Sequence, residues 1–139
     1  MQNIAFLDGG LGQEINKRSG RDASHPLWSV QVMVEEPEIV VAVYKDFLRA
    51  GARVITANNY SATSARLAQH GLMDKFLEIH QLATSLAHRA IAETFPEPGD
   101  QKGVNVAGVL PPLVASYHVP ADQNYQDCYD QYCSIIAAQ

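Results

Sequence analysis

"IAFLDGGLGQEI", residues 4–15, runs four apolar residues into an acid and then places three glycines within four positions. The unbroken apolar run of Ile4, Ala5, Phe6 and Leu7, bounded by a glycine cluster, predicts a short strand over residues 3–7 with both faces covered. A strand that stops at Asp8 and restarts as a helix beyond Gly12 puts a loop of special chemistry at its carboxyl end. Gly9, Gly10 and Gly12 let backbone N–H groups come close to a ligand, and Asp8 offers an acceptor to a cationic group such as the ammonium of an amino acid. The competing reading gives the glycines only a tight turn, with Asp8 as its cap.

Working outward, Pro37 and Glu38 suit a helix start. Val40, Val43, Tyr44, Phe47 and Leu48 recur at helical spacing, and Gly51 closes the helix in the left-handed conformation. Residues 53–57 form a second strand around Val54 and Ile55, which ends at Asn58 and Asn59. The pair His70-Gly71 breaks off a short helix. A longer one follows from about residue 72 to the Pro96-Glu97-Pro98-Gly99 terminator, with Leu72, Phe76, Ile79, Ala83, Leu86 and Ala90 in register. Residues 104–110 are the third strand, stopped by Pro111-Pro112, and a last helix occupies roughly 123–138. Strands alternating with helices of this length imply an α/β fold with crossovers in a parallel sheet. Three strands make a thin sheet, and the last helix reaches Gln139 without a stop signal, so the chain reads as a segment of a larger domain.

Composition narrows the function. The 139 residues, 47% of them hydrophobic and 18% charged, fit one globular domain. A net charge of −5, with no basic cluster beyond Lys17-Arg18, argues against nucleic acid as a partner. No apolar run approaches the roughly 18 residues of a membrane span, and no secretory leader is readable. Cys128 and Cys133 offer neither a disulfide framework nor a metal knuckle, which favours a reducing, cytoplasmic setting.

In α/β folds ligands bind beyond the carboxyl ends of the strands, which directs attention to Asp8-Gly9-Gly10, Asn58-Asn59-Tyr60 and Leu110-Pro111-Pro112. A dinucleotide fingerprint fails, because Gly10-Leu11-Gly12-Gln13-Glu14-Ile15 has isoleucine at its last position. His25, His70, His80, His88 and His118 give no metal pair, and His80 and His88 read as surface residues of the long helix. Cys128 and Cys133, in the company of Tyr125, Tyr129 and Tyr132, read as packing residues. Trp28 follows a loop and either covers a site or seals one end of the fold.

Taken together, these motifs resemble the homocysteine S-methyltransferase family. The stretch Asp8-Gly9-Gly10-Leu11-Gly12-Gln13-Glu14 is similar to the family's DGGxGTE opening, and the likeness continues through Pro26-Leu27-Trp28-Ser29. Glu36-Pro37-Glu38 with Tyr44 and Ala50-Gly51-Ala52, then "VITANNYSAT" at 54–63 and "VAGVLPPLVASY" at 106–117, follow the family's order. The resemblance implies a (β/α)8 barrel, of which the chain supplies about three N-terminal βα units, 1–139 being one truncated segment. It implies transfer of a methyl group from a sulfonium or ammonium donor to the thiol of homocysteine. It further implies that Asp8, Gly9 and Gly10 meet the amino-acid end of homocysteine, that Asn58 and Asn59 line the pocket floor, and that Trp28 lies near the methyl donor. Zinc, which in such enzymes holds the acceptor sulfur as thiolate, is expected in the full-length protein. The cysteines that bind it belong to later strands, and Cys128 and Cys133 do not match them. The segment alone is therefore expected to be inactive. The rival reading is a non-catalytic small-molecule-binding module that hides its apolar faces by self-association.

Overall fold

The structure, a computed structural model, describes residues 4–21, 25–97, 99–113 and 124–139. His118, Pro98, the expected helix start at residue 123 and the end of the 106–117 stretch lie outside the described residues.

Among the described residues, six α-helices and two short strands follow one another: α1 (Leu11–Ser19), α2 (Ser29–Glu35), α3 (Pro37–Arg49), β1 (Val54–Thr56), α4 (Ser64–Gln69), α5 (Phe76–Thr94), β2 (Asn105–Ala107) and α6 (Tyr125–Ala138). A turn of 3-10 helix, Met73–Lys75, leads into α5. The strands β1 and β2 pair in parallel, with Val54 opposite Asn105 and Thr56 opposite Ala107. Leu7 makes a parallel bridge to Val54 on the other side of β1, so three segments lie side by side in one direction. This is an α/β arrangement around a small parallel sheet.

Helix ends follow the local chemistry. In α3 the proline stands at the first helical position, Glu38 lies in the first turn and Arg49 in the last. Gly51 takes φ 105, and the Gly51 and Ala52 N–H groups return to the carbonyls of Leu48 and Phe47. These two bonds define a Schellman end, which turns the chain straight into β1. Gly71, at φ 66, ends α4 in the same way, with Leu72 N–H bonded to the Leu67 carbonyl.

The core forms where α3 and α5 cover β1. Val40, Val43, Tyr44, Ile55, Ile79, Ala83 and Ala87 are buried there, and Ile15 and Met33 bring α1 and α2 onto the same centre. Arg18 ties α1 to α3 by meeting Asp46 at 2.8 Å while also holding Glu14. This pair is exposed, so apolar burial fixes the packing and the ion pair adds little.

Five differences from the sequence reading stand out. Residues 4–7 are not a strand covered on both faces: Ile4, Phe6 and Leu7 are 78%, 66% and 65% exposed. They have a ladder neighbour on one side only, and no described element lies over them. The helix α2 was not foreseen; Pro37 disfavours helical geometry at Glu36, whose φ is −136, and so separates α2 from α3. The third strand is three residues rather than seven, because the Val109 N–H and carbonyl pair with the side-chain amide of Gln139 instead of a strand. His80 is a core residue at 1% exposure rather than a surface one. The cysteines also depart from their packing role: Cys133 is exposed and Cys128 half-buried, while Tyr125 and Tyr129 are 81% and 55% exposed.

Candidate functional site

The three parallel segments end together, and a cavity of about 330 Å3 opens beyond their carboxyl ends. Its walls come from the loop into α1 (Gly9, Gly10, Gly12, Gln13), from the start of α2 (Trp28, Ser29), from the end of β1 and its loop (Thr56, Asn58, Tyr60) and from Val109 after β2. A larger groove of about 510 Å3 runs between α1 and α3, away from these strand ends.

Asp8 begins the site. Its N–H bonds the Val54 carbonyl at 2.9 Å, which continues the bridge to β1. Its Oδ2 accepts two bonds from Thr56, one from the backbone N–H at 2.8 Å and one from the hydroxyl at 2.9 Å. The carboxylate is therefore oriented before any ligand arrives, with Oδ1 left without a partner among the described residues. Tyr44, buried in α3, donates to the Thr56 carbonyl at 2.7 Å from below. Burial pushes the Tyr44 phenol's pKa well above its usual value, and the charge of Asp8 adds to the shift.

The helix α1 starts at Gly10 with no side chain capping it. The N–H groups of Leu11 and Glu14 bond the carbonyls of Gly9 and Gly10, whereas those of Gly12 and Gln13 meet no acceptor among the described residues. Open amides at a helix start favour negative charge. Gly12 is demanded by shape, since a Cβ there would lie 2.7 Å from the Trp28 ring. Trp28 itself adopts φ 48, rare for a side-chain-bearing residue, immediately before α2.

Asn58 lines the cavity, but its amide is committed. Ser29 Oγ donates to Asn58 Oδ1 at 2.7 Å and Asn58 Nδ2 donates to the Ser29 carbonyl at 3.0 Å, locking α2 to the end of β1. Asn59 is not among the cavity-lining residues; its side chain turns to His80 in the core. Asp8 stands behind the lining, between Gly9 and Thr56. Of the residues singled out from the sequence, Gly9, Gly10, Asn58 and Trp28 share the cavity wall. Thr56, Ser29 and Gln13 were missed. Thr56 was legible in retrospect as a residue at the end of the second strand, and Ser29 and Gln13 as members of the motifs at 26–29 and 8–14. No group of three or more His, Cys, Asp or Glu among the described residues could hold a metal ion.

A parallel α/β sheet with a polar-edged cavity at its strand ends is the arrangement in which α/β folds place small-molecule sites. The homocysteine S-methyltransferase family model matches residues 5–139, and the chain belongs to that family. It is 32% identical over 139 residues to the homocysteine S-methyltransferase of Escherichia coli K12, covering 99% of this chain and 43% of the relative. It is 29% identical over 113 residues to a selenocysteine Se-methyltransferase of Brassica oleracea var. italica, covering 81% of this chain and 32% of the relative. The metallated crystal structure of the E. coli homocysteine methyltransferase MmuM superposes with a TM-score of 0.83 at 28% identity, over 99% of this chain and 50% of that one. The chain thus spans half or less of the length of these relatives.

Proposed function

We propose that the chain is the N-terminal part of a (β/α)8 barrel and forms the acceptor half of a homocysteine S-methyltransferase site. The observation that carries this reading is the strand-end cavity, walled by the open amides of α1, with the Thr56-anchored carboxylate of Asp8 directly behind Gly9 and Thr56 of its lining. An amino acid is a zwitterion, and the open amides in the cavity wall and the carboxylate just behind it carry the complementary charges. The acceptor's carboxylate would take the N–H groups of Gly12 and Gln13, and its ammonium would take Asp8 Oδ1. Gly9 and Gly10 leave room for close approach, Asn58 braces the floor, and Trp28 would cover the thiol end where a methyl donor arrives. Asn59 would serve the floor from beneath, through the loop it anchors.

In the reaction so assigned, the acceptor sulfur forms a bond to the methyl carbon as the donor's sulfonium or ammonium bond to that carbon breaks, and the thiol proton is released. Zinc is proposed for the whole protein, where it would hold the acceptor as thiolate, the nucleophilic form. The described residues do not fit a zinc site, so these residues are assigned binding and orientation only. Small molecules are the proposed partners and the cytoplasm the proposed location; no described helix is long and apolar enough to cross a membrane.

The test is titration of the chain with L-homocysteine, followed through Trp28, the single tryptophan. Saturable binding that weakens at least tenfold in Asp8→Asn is the expected result, since a charge-assisted bond is worth about 1.5–3 kcal/mol. Unchanged affinity in that variant would remove Asp8 from the site. No binding of homocysteine by the parent chain would remove the acceptor reading.

A further inference from the structure

One buried titratable side chain has no part in the acceptor reading. His80 lies in α5 at 1% exposure, with its ring against that of Phe76 at 4.5 Å. Asn59 Nδ2 meets its Nδ1 at 2.8 Å, and its Nε2 meets the Ala62 carbonyl at 3.1 Å. An amide NH2 only donates and a carbonyl only accepts, so one neutral form satisfies both contacts: a lone pair on Nδ1 and a proton on Nε2. Turning the Asn59 amide over would need a proton on Nδ1 and leave a neutral Nε2 facing the carbonyl lone pairs. Burial pushes the imidazole's pKa below its usual value, against a smaller opposing pull from the Ala62 carbonyl, which agrees with a neutral ring.

The clasp has a place in the site. Residues 57–63 leave β1, carry Asn58 and Tyr60 to the cavity, and enter α4 through the Thr63 cap. On the α2 side the loop is held by Asn58 to Ser29 and by Ser61 Oγ to the Leu27 carbonyl. On the α5 side the hydrogen bonds come from His80. Asn59 Oδ1 is buried without a partner, so the neutral clasp leaves one acceptor unmet. Protonation would make Nδ1 a donor facing the Asn59 NH2, so the contact as it stands holds only while the ring is neutral. Among the described residues, the groups that meet the ring are the Asn59 amide, the Ala62 carbonyl and the Phe76 ring, and no charged group acts on it.

We propose that His80 is a positioning residue for the cavity: in its neutral Nε2–H form it clasps Asn59 and Ala62 and so fixes Asn58 and Tyr60 where a bound amino acid meets them. The ligand in this statement rests on the acceptor reading; the clasp does not. The test uses the full chain, 15N shifts of the imidazole, amide exchange and titration with L-homocysteine. The parent should show the Nε2–H tautomer at neutral pH, keep its affinity as the pH passes about 6.5, and lose it only as the pH falls through the ring's lowered folded value. His80→Phe keeps the ring volume but not the bonds. It should bind homocysteine roughly tenfold more weakly and exchange the Asn59 and Ala62 amides faster, with α3 protection unchanged. His80→Gln, which can still donate to Ala62, should recover part of the affinity and lose the pH dependence. An Nδ1–H tautomer in the parent overturns the proposal even if His80→Phe fails to fold. So do His80→Phe loop amides that exchange at the parent rate, or an affinity in that variant within about twofold of the parent. If the parent binds no homocysteine, the acceptor reading fails, and the tautomer and loop exchange judge the clasp alone.

Discussion

Replacing Gly12 by alanine sets two effects of known size against each other. Gly12 lies in the first turn of α1, where alanine should gain up to about 1 kcal/mol of helix propensity. Against this, the new Cβ would stand 2.7 Å from Trp28 Cζ3, 3.0 Å from Cη2 and 3.0 Å from Ser29 Oγ. Carbon atoms pack best at about 3.5–4.0 Å, so the ring edge must retreat by about 0.8 Å. Neither neighbour moves freely. Trp28 already sits at φ 48, and Ser29 is tied to Asn58 by two hydrogen bonds. Overpacking of this kind costs about 1–3 kcal/mol, so the clash should outweigh the propensity and leave a net loss of about 1 kcal/mol. Urea unfolding reads the stability, and Trp28 emission reports the ring's displacement. Gly10→Ala is the control: the nearest atom its Cβ would meet is the flexible Gln13 Oε1, at 3.0 Å, so its cost should be confined to what alanine loses against glycine at a helix cap, with Trp28 emission unchanged. A Gly12→Ala chain that gains the full propensity term, with unchanged emission, would refute the argument that this glycine is kept for Trp28.

Thr56→Val preserves the β-branched shape but removes the hydroxyl donor to Asp8, and should cost about 1 kcal/mol in urea unfolding while weakening homocysteine binding; equal affinity would show that the backbone N–H alone orients the carboxylate. Stability should fall at both ends of the pH range. The His80 pKa is lowered in the folded chain, so its contribution is present above about pH 6.5 and lost as the pH falls through the folded value. The Tyr44 pKa is raised, so its contribution is present below about pH 10 and lost as the pH climbs beyond it. Thermal melts across the range check both, and His80→Gln and Tyr44→Phe should each flatten one limb. Ile4, Phe6, Leu7 and Leu110, all more than half exposed, should drive concentration-dependent self-association visible in light scattering, and a single monomeric species at every concentration would show that the open edge is tolerated.

What the sequence disclosed and what it withheld divide along physical lines. The Pro37 start, the Gly51 end and the helical repeat of α5 are local signals, and the structure follows them closely. The parallel order of the three segments could be read from strand–helix alternation, and the glycine loop from the abrupt end of the apolar run. Strand length could not be read, because a ladder needs neighbours, and Val109 spends its backbone groups on Gln139. The burial of His80 was equally hidden. A histidine among Leu77, Ile79 and Leu82 gives no local sign that a distant Asn59 and the Ala62 carbonyl await it. Asn58 and Asn59 read as a pair of equivalent amides, yet alternation of side-chain direction sends one to Ser29 and the other to the core.

That division explains why so many polar groups around the cavity are already paired. Asn58 is held by Ser29, Asp8 Oδ2 by Thr56, Thr56's carbonyl by Tyr44, and Asn59 by His80. A group paired in this way cannot swing to meet a ligand, but it cannot swing away either, and the cost of ordering it is met on folding rather than on binding. Among the described residues, the atoms left open include the second oxygen of Asp8 and the Gly12 and Gln13 amides. They are of opposite sign, and both lie on backbone that the sheet or a helix holds in place. On the proposed acceptor reading, a ligand gripped by the open amides and by Asp8 should be discriminated sharply by charge pattern and weakly by the atom at its far end. L-Homocysteine and its selenol analogue should therefore bind with similar affinity. Homocysteine with its amine acetylated or its carboxylate converted to an amide should each lose at least tenfold, the first through Asp8 and the second through α1. Competition titrations read through Trp28 measure all four, and an amide that bound as well as the acid would detach the helix start from the site.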